Sequence, residues 1–234
     1  NSDTQFYGAS MQKPILALMN LITQGEEKRL NEAELDQLIS YHGNKKASGG
    51  NSNEINKRIA GYIDNEAASD WLKNLGLDNQ LIRYGRSKNK QTAAGYTKFL
   101  SQLMNYKNHP YLSQYPAESE AVLSRIMANS SNAKEGIGSH EAKNFNQIKN
   151  MVNKELGYNA VDSMSGKGGR AFGARNFSFV IKPTDSNEQY IFTMYTQDPD
   201  KRGVGAPSQR YSRSHRIVAQ KLAELIRKHG VGKK

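Results

Sequence analysis

The chain contains no cysteine, which excludes disulfide scaffolding, thiol nucleophiles and cysteine-ligated metals. Its five histidines (His42, His109, His140, His215 and His229) are scattered over 234 residues with no His-x-x-x-His pair. A histidine-rich zinc site is therefore not expected, and no metal or cofactor is implied. No run approaches the ~20 apolar residues needed to cross a bilayer. No repeat or long low-complexity segment is visible, and the aromatic residues do not form the pattern of an RNA-binding sheet. The sequence opens at Asn1 without a signal-peptide pattern, which predicts a processed or trimmed chain whose address is not written in it.

What is abundant is positive charge. A formal net charge of +11 suits an anionic partner such as nucleic acid, anionic lipid or a cell-wall polymer. The basic residues are dispersed, however, and their densest runs, 83–90 and 202–216, are moderate. A solvated basic surface accounts for them more simply, and nucleic acid is not the expected partner. The length suits one domain, or one two-lobed domain, with a real core.

One tetrapeptide carries chemistry: Ser10-Met11-Gln12-Lys13. Residues three apart share a helix face, so the Lys13 amine can lie within hydrogen-bonding reach of the Ser10 hydroxyl. A serine hydroxyl is a weak nucleophile until a base takes its proton. A lysine can be that base when desolvation or a second cation lowers its pKa. Pro14 has no N–H to donate and is tolerated only in a helix's first turn. That puts the helix start near residues 9–10 and the Ser10 N–H at the positive end of the dipole, where an oxyanion can be stabilised. The spacing alone is weak, since about two Ser-x-x-Lys matches are expected by chance. Ser87–Lys90 and Ser131–Lys134 share it but read as loops, whereas Ser10–Lys13 leads into Ile15-Leu16-Ala17-Leu18-Met19. A helix N-terminus with a solvated lysine is the plain structural alternative.

Periodicity predicts helices over about residues 10–23 and 31–41, the second with Asn31 as N-cap and Glu34 closing a capping box. A turn-rich stretch covers residues 43–52. A helix then begins near Asn53 (Ile55, Ile59, Ile63), and another carries Trp71, Leu72 and Leu75 and ends at Gly76. Further helices are predicted over residues 92–106, 118–128 and 140–156. The pattern changes near Gly157. Residues 176–182 and 190–195 alternate around the turn cluster 183–187, which predicts an antiparallel hairpin, and residues 166–172 could form a third strand. Residues 208–229 read as an amphipathic closing helix with Ile217, Val218, Leu222 and Leu225 on one side. The expectation is an α+β fold in one domain over residues 1–234. A helical lobe (about 24–156) is inserted before an antiparallel sheet and closing helix (about 157–234).

This order of elements, starting from a Ser-x-x-Lys helix, resembles the serine β-lactamase and penicillin-binding-protein (DD-peptidase) superfamily, whose motifs are Ser-x-x-Lys, Ser-x-Asn and Lys-Thr-Gly. Gly166-Lys167-Gly168-Gly169-Arg170, then Gly173-Ala174-Arg175-Asn176-Phe177, then the segment 190–195 with Thr196-Gln197-Asp198-Pro199, look like the Lys-Thr-Gly strand and following hairpin of class A enzymes. Leu75-Gly76-Leu77 and Thr92-Ala93-Ala94-Gly95-Tyr96 resemble helix junctions of that class. The likeness covers most of the chain and is distant. It implies Ser10 as acylated nucleophile and Lys13 as its base. Lys167 would be a second cation facing the cleft, holding Lys13 neutral and attracting a substrate carboxylate. The N–H groups of Ser10 and Arg170 would form the oxyanion hole, with Gly168, Gly169 and Asn53 on the substrate side. Ser52 is the fourth catalytic candidate.

The sequence departs from the pattern in four places. Gly168 replaces the Thr of Lys-Thr-Gly. In Asn51-Ser52-Asn53-Glu54, Ser52 is followed two positions later by Glu54, so the middle motif can be read through Ser52 or through Asn51 and Asn53; Asn51 with Glu54 also fits a capping box. Arg83-Tyr84-Gly85-Arg86 stands where the loop with the deacylating Glu of class A enzymes would begin, and Glu66 before it reads as a solvent-facing helix residue. Only nine residues precede Ser10, where the resemblance implies a helix and two strands, so these are missing or the fold is a trimmed variant. A phosphate-loop reading of residues 166–169 lacks the Gly-x-x-x-x-Gly-Lys-[Ser/Thr] pattern, and Asp198 and Asp200 read as turn residues.

The resemblance thus implies a serine acyl-enzyme hydrolase or transferase acting outside the cytoplasm (periplasmic, secreted or cell-surface) on D-Ala-D-Ala peptides or related amides and esters, with slow deacylation. A peptidoglycan-type peptide or β-lactam is the implied ligand. A class A-like β-lactamase, and a catalytically silent relative that binds cell wall or a protein partner, are the alternatives.

Overall fold

The computed structural model describes residues 3–40, 51–78, 80–82, 89–133, 139–171, 174–197 and 209–230. A 3₁₀ turn at Ala9–Met11 precedes helix α1 (Gln12–Thr23), which is buried from Gln12 to Leu21. A helix apolar on nearly all sides belongs in the middle of a bundle, and α1 is central here. Around it lie α2 (Glu32–Ile39), α3 (Ser52–Tyr62), α4 (Asn65–Asn74), α5 (Ala93–Met104) and α6 (Pro116–Ala128). Local chemistry sets their ends. Asn31 and Glu34 form the expected capping box on α2. The Asp64 carboxylate accepts from the N–H groups of Glu66 and Ala67 at 2.8 and 3.2 Å, leaving Glu66 exposed. Gly76, with φ +56°, ends the α4 segment in a left-handed turn that lets the Leu77 N–H reach Leu72 O at 2.8 Å. Thr92 caps α5 by accepting from the Gly95 N–H at 2.9 Å, and Pro116 occupies the first turn of α6.

Two small sheets complete the fold among the described residues. Strands β1 (Phe6–Tyr7), β2 (Leu81–Ile82) and β3 (Asn89–Gln91) pair in the order β1-β3-β2 beside the Ser10 turn. Strands β4 (Val161–Ala171), β5 (Ala174–Pro183) and β6 (Tyr190–Gln197) form an antiparallel meander in that order. Alternation decides what each face of β5 meets. Phe177, Phe179 and Ile181 pack with Phe145, Ile148 and Val152 of α7 (Ser139–Leu156), and with Val218, Leu222 and Ile226 of α8 (Gln209–His229). Val180 and Tyr195 join the separate cluster around α1.

Three details differ from the sequence reading. The third strand begins at Val161, not Gly166, so Lys167 lies within β4 instead of at its start. The polar stretch Asp162-Ser163 hid this because β4 is an edge strand with one side available to side-chain and loop contacts. On α8, Val218 and Leu222 are buried, whereas Ile217 and Leu225 are about 40% exposed; the buried stripe is continued by Ala219, Ala223 and Ile226. Helix α7, placed by sequence with the helical lobe, buries its apolar side in the sheet's cluster. None of the described helices is long and apolar enough to cross a membrane.

Candidate functional site

The turn that carries Ser10 is held under strain. Ala9 has φ +49°, a left-handed conformation that costs a non-glycine residue on the order of 1–3 kcal/mol and persists only where its surroundings enforce it. Here they do. The Asn89 side-chain amide donates to Ala9 O at 2.9 Å, and the Gly8 N–H donates to Asn89 O at 3.3 Å. Asn89 is fixed in turn by Gln91 at 3.1 Å, and Gln91 by the Tyr195 hydroxyl at 2.5 Å. From the sheet, the Asn176 amide donates to Tyr7 O at 2.8 Å. Gly169 of β4 abuts the turn's other side: a β-carbon there would lie 3.0 Å from Gly8 O and 3.1 Å from the Met11 nitrogen. Glycine allows this close approach of strand to turn. Ser10 is left 8% exposed.

Lys13 follows one turn later and is 2% exposed. Its ammonium donates to Ser52 Oγ at 2.5 Å and to Asn53 Oδ1 at 3.0 Å. Among the described residues it makes no hydrogen bond to Ser10, so the expected Ser10–Lys13 contact is replaced by contacts to α3. Burial is the largest influence on Lys13, the Lys167 charge adds to it and the Glu141 charge opposes both; together they bring its pKa down from 10.5 to about 7. A solvated lysine is thereby ruled out at this position.

The middle motif is split between neighbours. Ser52 and Asn53 are adjacent, yet both side chains reach Lys13, because the first turn of α3 points at α1. Asn51 caps α3 by accepting from the Asn53 N–H at 2.8 Å, and Glu54 does not close the expected box.

Lys167 is fully buried. It shares a face of the sheet with Ser178, its partner on β5, and with Gly169. Its ammonium donates to Ile39 O at 3.0 Å and to Glu141 Oε1 at 3.2 Å. Burial pushes its pKa down and Glu141 pushes it back up. The cation expected to face the cleft is therefore already paired inside the protein. Gly168 points the other way, towards α7, and a β-carbon there would lie 2.8 Å from Glu141 Oε2. The Glu141 carboxylate thus spans the Lys167 ammonium and the space above Gly168. Residues 166–169 form part of a continuous strand, not a phosphate loop. The Arg170 backbone pairs with Arg175 in the β4–β5 ladder.

Sequence reasoning missed Glu141, Asn89 and Gln91. The available signals were Gly168, where a β-carbon would meet Glu141, and Gly8, where one would meet Asn89 and Gln91, since a glycine can mark a place where another group comes close. Ser131 of the third Ser-x-x-Lys match accepts from the Met164 N–H at 3.1 Å, a structural contact. Arg83, Tyr84, Gly85, Arg86, Ser87, Lys134, Gly173, Asp198, Pro199 and Asp200 lie outside the described residues.

No family model matches the sequence, and no curated protein matches it. Solved structures do. A β-lactamase from Francisella tularensis superposes with a TM-score of 0.57 at 14% identity, covering 96% of this chain and 89% of that one. A halotolerant bacterial β-lactamase gives 0.55 at 15% identity, covering 94% and 87%. The chain has the α+β fold of β-lactamases.

Proposed function

We propose that the protein is a serine acyl-enzyme hydrolase or transferase, with Ser10 as nucleophile and Lys13 as general base, acting outside the cytoplasm on D-Ala-D-Ala peptides or related amides and esters. One observation carries this reading: a lysine 2% exposed, with its pKa brought to about 7, sits one helical turn after a serine in a clamped, left-handed turn. Structural lysines rarely pay for such burial without an ion-pair partner, and among the described residues Lys13 has only the neutral partners Ser52 and Asn53. The proposed step balances simply. Ser10 Oγ bonds to the acyl carbon and its proton passes to the neutral Lys13 amine. The carbon–leaving-group bond breaks as the tetrahedral oxyanion collapses, and the proton leaves with the departing group through Ser52, which is hydrogen-bonded to Lys13. The N–H groups of Ser10 and Arg170 are the proposed oxyanion donors, burial, aided by the Lys167 charge, favours the neutral Lys13 amine, and Gly168, Gly169 and Asn53 flank the acyl donor.

Release of the acyl group needs a base that positions a water. Glu141, the carboxylate whose field reaches Lys13, is tied to Lys167. The acyl-enzyme is therefore long-lived in this reading. Intact-mass spectrometry after incubation with a penicillin tests it: a persistent adduct mapping to Ser10 and absent from Ser10→Ala is expected. Rapid multiple turnover would favour a class A-like β-lactamase. No adduct with a penicillin, its ester or any activated ester would favour the silent binding relative.

A further inference from the structure

We propose that Glu141 sets the charge of the acyl donor: its carboxylate lies on Lys167 and over Gly168, so this side of the site is filled by the protein's own anion and the donor accepted is one without a negative charge there. The inference rests on the acyl-transfer reading and narrows its substrates to the uncharged amides and esters, setting aside D-Ala-D-Ala peptides, whose terminal carboxylate would meet Glu141. Three observations support it. Glu141 is 4% exposed and Lys167 is not exposed at all, so the pair is held by packing and not drawn together loosely at the surface. Glu141 Oε1 accepts from the Lys167 ammonium at 3.2 Å, and Oε2 lies 2.8 Å from where a β-carbon at position 168 would stand. The second donor bond of Lys167 goes to Ile39 O at 3.0 Å, which takes up a further direction in which that ammonium could have received a ligand. A buried cation with a buried counter-anion presents no net positive charge, and a second anion brought beside the pair meets like charge at close range in a low-dielectric setting. A neutral ester or amide meets no such penalty.

Positions explain why these residues come together. Glu141 stands in the first turn of α7, and α7 packs across β4. Lys167 and Gly168 are successive residues of β4 and point to opposite faces. A carboxylate near both must lie at the strand's outer margin, one residue before the Gly169 that abuts the Ser10 turn. Glu141 is a specificity-determining residue in this account and takes no part in bond making.

Benzylpenicillin and its methyl ester make a direct test, because they offer the same acyl group and differ only in the carboxylate. The rate of adduct formation on Ser10 is measured by intact-mass spectrometry for each probe, with wild type and with Glu141→Gln. Wild type is expected to react faster with the ester by roughly tenfold, and Glu141→Gln, which frees the Lys167 charge, to move the ratio towards the free acid by at least about tenfold. Wild type reacting faster with the free acid overturns the inference, and so does a ratio unchanged in a folded Glu141→Gln; in either case the acyl-transfer reading survives. The wild-type ratio needs no variant, so a Glu141→Gln protein that fails to fold leaves the test standing. Absence of any Ser10 adduct from both probes overturns the acyl-transfer reading, and the inference falls with it.

Discussion

The cluster around α1 and the cluster on the sheet bury the same kinds of side chain, but they meet through a different kind. Around α1 the buried groups are Met11, Ile15, Leu16, Leu18 and their neighbours from α2 to α6. On the sheet they are Phe145, Phe177, Phe179, Leu222 and their neighbours. Between the two lie Lys13, Ser52, Lys167, Glu141, Asn176 and Ser178, all buried and all polar. Apolar burial stabilises each cluster by about 25 cal/mol per Å² removed from water, whereas the polar seam pays desolvation that hydrogen bonds and one ion pair only partly return. Stability therefore resides in the two clusters, and the proposed chemistry in the seam.

Substitutions on either side of that division should behave differently. The largest effect is expected at the seam. Lys13→Ala should slow Ser10 labelling by about 10²–10⁴-fold, the usual range for a lost general base, without loss of folding. In wild type the same labelling should rise with pH through about 7, as the Lys13 amine becomes neutral, and level off above it. Unchanged labelling in Lys13→Ala would remove Lys13 as the base and leave the seam as architecture. Next in size is Leu222→Ala, in the middle of α8 and 3% exposed. Its lost packing should cost about 2–5 kcal/mol in denaturant unfolding, with labelling of the folded protein within about twofold of wild type. A large labelling defect there would show that the sheet cluster does more than support the seam.

The two clusters were legible in the sequence and the seam was only partly so. The capping box at Asn31, the stop at Gly76 and the alternation in residues 176–182 are local signals, and local signals fix element type and place. Ser10 and Lys13 were legible for the same reason, being one helical turn apart. Ser52 and Asn53 were named through the resemblance, but their contact with Lys13 was not legible, because they lie 39 and 40 residues away. Glu141 carried no local signal beyond the start of a helix. Its pairing with Lys167, 26 residues on, exists only because α7 packs across β4. Gly168, where the resemblance led one to expect a Thr, offered no side chain in sequence, whereas in three dimensions the space beside it is taken by the Glu141 carboxylate.

The smallest expected effect concerns stability at the seam, and its sign runs against that of a core substitution. The pKa of Lys13 is lower folded, about 7, than its usual 10.5. The unfolded chain therefore binds more protons between those values, and folding is favoured as pH rises through that window. Below about pH 7 the buried ammonium is fully charged and its cost is complete; above about 10.5 it is neutral in both states and the cost is gone. Lys13→Met keeps the volume and removes the charge. At pH 6.5 this should stabilise the protein by about 1–3 kcal/mol, the relief of desolvation being offset by a Ser52 hydroxyl left without its partner. At pH 9.5 the gain should shrink towards zero. Urea unfolding of wild type and Lys13→Met at the two pH values measures it. A Lys13→Met protein less stable than wild type at pH 6.5 would mean that Lys13 binds the two clusters together instead of straining the seam between them.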